Sequence, residues 1–169
     1  MKKVTLVALT LAALISTSGV VFAHDGGGGN DHPGMNTGGG PRRVAILRGA
    51  EEVPNLGDPD GAGFAIIRAK PGKQMVCYEI FVSGIAPATL AHIHLGAAGV
   101  AGPVVVNFSA PTSGYSKGCV DGLDKELVKN IKNNPGQYYV NVHNADYPGG
   151  AVRGQLFQSP MMDERENEE

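Results

Sequence analysis

Apolar and polar residues alternate through Ala91-His92-Ile93-His94-Leu95 and again through Tyr138-Tyr139-Val140-Asn141-Val142-His143. Period two is the mark of a strand with one face on a core and the other turned away from it. In the first run Ala91, Ile93 and Leu95 share a face, and His92 and His94 take the opposite one. In the second, Tyr138, Val140 and Val142 share a face, and Tyr139, Asn141 and His143 take the other. A helix would scatter the same residues around its axis, so these two runs commit the chain to sheet.

Shorter runs of the same kind recur between turn signals. They predict strands over 44–47, 64–69, 75–82, 90–95, 104–108, 118–120, 137–144 and 151–157. Pro54 to Gly63, Pro71-Gly72, Ser83-Gly84, Gly102-Pro103 and Tyr147-Pro148-Gly149-Gly150 separate them. One helix interrupts the strands near 124–133. Leu123, Leu127 and Ile131 recur at helical spacing, Asp124 can cap the start, and Pro135-Gly136 stops it. The fold class is therefore all-β: an antiparallel β-sandwich of the immunoglobulin or superoxide-dismutase kind, with about eight strands and one short helix.

The last hairpin can be registered from pattern. Val140 and Val142 must face the same core as Val152 and Leu156, because a one-residue slip would turn them out. Even positions then pair with even. Tyr139, Asn141 and His143 share the outer face with Arg153, Gln155 and Phe157.

The flanks read differently. Residues 1–23 form a signal peptide: Lys2 and Lys3, an apolar stretch from Val4 to Ile15, and a Val21-Phe22-Ala23 cleavage site. Residues 24–42 are a Gly-rich leader, and 159–169 an acidic tail, neither able to bury a core. The domain spans 43–158. Export to the periplasm or the extracellular space is expected, with no membrane insertion after cleavage. The net charge of −2 and the lack of any basic cluster beyond Arg42-Arg43 argue against nucleic acid as a partner.

Two cysteines, Cys77 and Cys119, complete the inventory. An even count in an exported chain favours a disulfide between them, the alternative being two buried thiols.

The candidate chemistry lies in the histidines. All three in the domain, His92, His94 and His143, fall on polar strand faces, and neutral imidazole is the commonest metal ligand. The competing reading makes His92 and His94 hydrogen-bonding residues that order the Gly96–Gly102 loop, and His143 a hairpin residue bonded to backbone beside Asp146. Asp146 and Glu79 are the nearest candidate carboxylates behind a metal. Glu52 and Arg153 form either a ligand-binding pair or a structural ion pair. Asp58 and Asp60 admit a calcium reading or a plain solvated turn. His24, with His32, offers at most loose copper affinity. No nucleophile elbow is present, so the chain is read as no enzyme.

Taken in order, L47-R-G-A-E-E-V-P54, A62-G-F64, Y78-E-I-F-V-S-G-I85, A91-H-I-H-L-G96, G99-V-A-G-P-V-V-V106, G118-C-V-D-G-L123, Y138-Y-V-N-V-H143 and P148-G-G-A-V-R-G-Q-L156 resemble the CHRD family, the domain repeated in chordin. The resemblance implies a secreted or surface-exposed module and carries no catalytic residues. A fainter resemblance is to copper/zinc superoxide dismutase, whose copper site includes a His-x-His strand, like His92-Ile93-His94, and a later strand ending Val-His, like Val142-His143. The further bridging histidine and the zinc-ligand loop of that enzyme have no counterpart here. Two functions follow as expectations. One is a non-catalytic binding or structural module for an extracytoplasmic protein or small ligand. The other is a copper or zinc protein using His92, His94 and His143, with redox chemistry open to it if the metal is copper.

Overall fold

The computed structural model describes residues 42–159. The predicted signal peptide, the predicted leader up to residue 41 with His24 and His32, and the predicted tail from residue 160 lie outside the described residues. Nine strands and one helix follow in chain order: β1 (Arg43–Arg48), β2 (Ala62–Lys70), β3 (Met75–Ser83), β4 (Ala88–Leu95), β5 (Val104–Phe108), β6 (Tyr115–Val120), α1 (Lys125–Asn133), β7 (Tyr138–Asn144), β8 (Val152–Gln155) and β9 (Phe157–Gln158). All pair antiparallel in one sheet of order β5-β4-β7-β8-β1-β2-β3-β6, with β9 beside β1.

This sheet curls on itself until its two ends meet. Tyr78 of β3 stacks on Phe108 of β5 with ring centroids 4.2 Å apart, and its hydroxyl accepts from the Ser109 amide at 3.0 Å. The predicted all-β sandwich is thus realised as one nearly closed sheet around one core. Inward-facing Leu47, Ile67, Ile80, Ile93, Val106, Val140, Val142, Val152 and Leu156 fill that core and are essentially inaccessible to water. Each such side chain contributes about 1.5–3 kcal/mol relative to exposure.

Helix α1 packs against β2 and the turn that follows it. The Asp124 side chain accepts from the Leu127 amide at 2.8 Å, and Val128 and Ile131 are buried. Arg43 of β1 donates through Nε and Nη2 to the Lys132 carbonyl at 2.8 and 2.6 Å. One carbonyl of the last turn is thereby satisfied, which ties the helix to the sheet.

The hairpin register is the expected one. Tyr139 pairs with Gln155, Val140 with Gly154, Asn141 with Arg153 and Val142 with Val152. Most boundaries shift by a residue or two, β2 starting at Ala62 and β4 at Ala88, and two differ more. Strand β6 begins at Tyr115, ahead of the Gly118 start that pattern suggested. The final strand breaks at Leu156, so Phe157 leaves the polar face and pairs with Val44 as an exposed residue. Leu156 is pulled into the core at that break, its amide donating to the Tyr138 carbonyl at 2.9 Å.

Cys77 and Cys119 form a disulfide between directly opposed residues of β3 and β6. Their Cα atoms stand 3.9 Å apart, shorter than both the 4.4–6.8 Å span usual for disulfides and the roughly 4.5–5.5 Å between opposed residues of an antiparallel pair. The bridge closes a sequence separation of 42 residues, for which chain entropy gives a stabilisation of about 4 kcal/mol. Changing both cysteines to serine should lower the denaturant-extrapolated unfolding free energy by about 2–4 kcal/mol. A change below about 1 kcal/mol would mean that the bridge does not constrain the unfolded chain.

Candidate metal centre

Strand β4 lies beside β7, and their register sets Leu90 opposite His143, His92 opposite Asn141 and His94 opposite Tyr139. Strand β8 continues the same face with Arg153 opposite Asn141 and Gln155 opposite Tyr139. A patch of histidine, asparagine, tyrosine, arginine and glutamine therefore covers the outer side of three neighbouring strands.

That side is dry. Every residue of β7 is buried on both faces. Loops cover the polar patch and answer many of its hydrogen-bonding groups. Arg153 Nη2 donates to the carbonyls of Ala97 and Val100 at 3.0 and 2.9 Å. Gln155 Nε2 donates to the carbonyl of Gly96 at 2.9 Å, and the Gly102 amide donates to the Tyr139 hydroxyl oxygen at 3.1 Å. The segment 96–103 is thus strapped down over the sheet. Only glycine fits at 102, where a Cβ would run into the Leu95 carbonyl.

The three histidines sit under this cover, each at most 9% exposed. His94 Nδ1 lies 2.8 Å from the Gly102 carbonyl, and His143 Nδ1 lies 3.0 Å from the Pro148 carbonyl. A carbonyl only accepts, so both Nδ1 atoms carry the proton, and both Nε2 atoms present a lone pair. His94 Nε2 is buried with no partner. His143 Nε2 stands 3.3 Å from His92 Nδ1, which must donate to it in the metal-free protein.

These nitrogens converge. One ligand atom from each histidine lies within 4.8 Å of the other two. A tetrahedral ion bound at 2.0–2.1 Å holds its nitrogens about 3.3 Å apart. His92 Nδ1 and His143 Nε2 already meet that spacing, and the ligand atom of His94 lies within 4.8 Å of both. Backbone carbonyls behind two of the three imidazoles fix tautomer and ring orientation, the role that supporting groups play at metal sites. Tyr139 adds a wall: its ring stacks on His94 at 4.8 Å and 11° between planes, and the Arg153 guanidinium carbon lies 3.4 Å from the centroid of the same ring.

Electrostatics keep the imidazoles neutral. Burial, then the charge that His143 and His94 would carry, pushes His92 down to about 4. Burial is the main cause for His94 and His143 as well, partly offset by their bonds to Gly102 and Pro148. Glu52 goes the other way. Burial raises it to about 7 against the pull of Arg153 and its hydrogen bond from Asn141.

Glu52 and Arg153 share this patch, and the guanidinium bears on the carboxyl electrostatically, but their hydrogen bonds run elsewhere. Glu52 Oε2 accepts from Asn141 Nδ2 at 3.1 Å, so Asn141, opposite Arg153 in the ladder, stands between them. Glu52 lies beneath Gly150 (φ +146°), where any Cβ would fall on its carboxyl group. Glu79, a candidate behind the metal, instead forms a 2.7 Å ion pair with Arg68. Asp58 closes its own turn, its Oδ1 accepting from the Asp60 amide at 3.2 Å. Among the described residues, the histidine trio is the one group of His, Cys, Asp and Glu close enough to share an ion. Sequence parity had placed Tyr139 and Asn141 on the histidine face. The carbonyls of Gly102 and Pro148 carry no sequence signal, since every residue has one.

A family profile for the CHRD domain matches residues 43–156. The chain belongs to the CHRD domain family. No curated protein matches it. The match covers the whole sheet from β1 to Leu156, so the polar patch and its histidines are part of the CHRD domain itself.

The pKa shifts set the pH dependence of stability. The histidines hold folded values below their unfolded value near 6.5, so the unfolded chain takes up more protons, and stability is lost as pH falls from about 6.5 toward 4. Glu52 opposes this: raised from 4.5 to about 7, it stabilises most below pH 4.5 and loses that contribution as pH rises through 7. Three groups outweigh one. The melting temperature of metal-free protein should fall on acidification from pH 7 to pH 4.5, and Glu52→Gln should make the fall steeper. A flat profile in both proteins would contradict the neutral, buried state of the imidazoles.

Proposed function

We propose that this CHRD domain is an extracytoplasmic binding module that holds one transition-metal ion, copper or zinc, on His92, His94 and His143. One observation carries the reading: three buried imidazoles converge, two of them with Nδ1 tied to backbone carbonyls and Nε2 left to ligate. An all-imidazole set suits zinc and copper better than calcium or magnesium. Three protein ligands leave one position open on a four-coordinate ion. Copper there would add one-electron chemistry, whereas zinc would not. The role assigned is binding rather than catalysis. The disulfide, and the lack among the described residues of a helix able to cross a membrane, are consistent with a periplasmic or extracellular setting.

A second reading is a metal-free interaction module for a protein or small ligand. It is favoured by an exposed aromatic row on the outer face of β2, β3 and β6. There Phe64 stacks on Phe81 at 4.6 Å, and Tyr115 lies tilted by 33° against Phe81 with centroids 4.5 Å apart. The rings spend their faces on one another.

Metal titration of the untagged exported protein separates the two. An ion that binds only the folded state adds about 2.7 kcal/mol at a hundred times Kd, so copper or zinc should raise the melting temperature. His143→Ala should abolish the rise, and His32→Ala should leave it intact. An ordinary imidazole site would lose its ion below about pH 6. With His92 pushed down to about 4, the response should persist to about pH 5. The same response in wild type and His143→Ala would leave the metal-free module.

A further inference from the structure

Asn141 occupies a singular place on the polar face. It lies opposite His92 in the β4–β7 ladder, diagonally next to His94, and two residues from His143 on its own strand. No other position on this face of β4, β7 and β8 adjoins all three histidines. Asn141 is 4% exposed. Its Nδ2 is occupied by Glu52 Oε2 at 3.1 Å, and its Oδ1 is buried with no hydrogen-bond partner. An unsatisfied buried carboxamide oxygen is destabilising, a cost that a protein keeps where something else answers the group.

The three imidazoles leave a fourth position on a bound ion. We infer that Asn141 serves that position, its Oδ1 accepting a hydrogen bond from the metal-bound water, and that Glu52 is the positioning residue that turns the amide to do so. The inference rests on the three-histidine reading and completes it with an oxygen acceptor next to all three ligands. Glu52 acts only through Asn141. It accepts one of the two Nδ2 hydrogens, which holds the nitrogen end of the amide toward Glu52 and leaves Oδ1 as the end without a partner. A water held this way is exchangeable, so the centre is open to small ligands rather than sealed.

A competing use of Oδ1 is within reach. Arg153 lies opposite Asn141, and its Nη1 is also buried without a partner, as is Glu52 Oε1. One trapped water could answer all three atoms and ignore the metal. The experiment distinguishes the two.

Copper(II) and zinc affinities, one-ion stoichiometry and the copper(II) electron paramagnetic resonance spectrum should be compared for wild type, Asn141→Leu, Asn141→Asp and Glu52→Gln, all checked for folding by circular dichroism. Asn141→Leu should weaken binding about tenfold or more, the usual cost of losing a supporting group at a metal site. Asn141→Asp keeps the shape and gives the metal-bound water a charged acceptor in place of the carboxamide oxygen. It should tighten binding about tenfold and alter the copper spectrum. Glu52→Gln, which lets the amide turn over, should shift the spectrum with His92, His94 and His143 unchanged. If wild type binds one ion while both Asn141 variants stay within twofold of it with superimposable spectra, Asn141 serves the Arg153 water instead and the inference falls. The same holds if Asn141→Leu does not fold and Asn141→Asp leaves affinity and spectrum unchanged. If wild type binds no ion, the three-histidine reading has failed and this inference fails with it.

Discussion

The pairing of β4 with β7 is the contact on which the rest of the molecule depends. Their register aims Ile93, Val140 and Val142 into the core, and the same register puts His92, Asn141 and His143 on the opposite side. Period two allows no other outcome once the core side is chosen. A sheet face so rich in donors and acceptors is costly to dry unless partners answer it. This one is dry, and the loops at 96–103 and 147–151 bring carbonyls and amides down to answer much of it, leaving His94 Nε2, Asn141 Oδ1 and Arg153 Nη1 buried without a hydrogen-bond partner.

Those loops do two jobs with one set of hydrogen bonds. The bonds from His94 to Gly102 and from His143 to Pro148 close the loops over the sheet. They also decide which nitrogen of each ring is protonated, and so which one is free. A histidine that orders a loop and a histidine that ligates a metal look like rival explanations of the same residue. Imidazole has two nitrogens, and the rings of His94 and His143 each give Nδ1 to the loop and keep Nε2 as an unprotonated acceptor. The low proton affinity of the three rings has the same origin, because a ring desolvated under a strap of backbone disfavours charge whichever nitrogen carries it.

Arg153 shows how far the patch departs from a surface. It is 2% exposed, yet its closest partners are two carbonyls and the face of Tyr139 rather than a carboxylate. Its charge is spread over a delocalised plane that tolerates stacking, which a lysine ammonium would not. Glu52, the acid that sequence reasoning paired with it, is raised to about 7 by its own burial and is partly neutral near physiological pH. The interaction between them is therefore softer than an ion pair, and Asn141 carries the hydrogen bond.

Periodicity alone determined the strands, the even-with-even register of the last hairpin, and the assignment of His92, His94 and His143 to faces turned from the core. Those properties are local: side-chain direction alternates whatever the strand pairs with. The Cys77–Cys119 bridge was legible from count and compartment, and the ordered motifs marked the family. The break at Leu156 and the early start of β6 were not legible, because a strand ends where its ladder partner ends, and the partner is distant in sequence. Only the tertiary structure decided that β4 and β7 are neighbours across β5, β6 and α1, and hence that His143 meets His92 at 3.3 Å. Only it decided that the polar face is roofed. The carbonyls of Gly102 and Pro148 become partners through where the backbone passes, and backbone position is a property of the whole fold rather than of any residue within it.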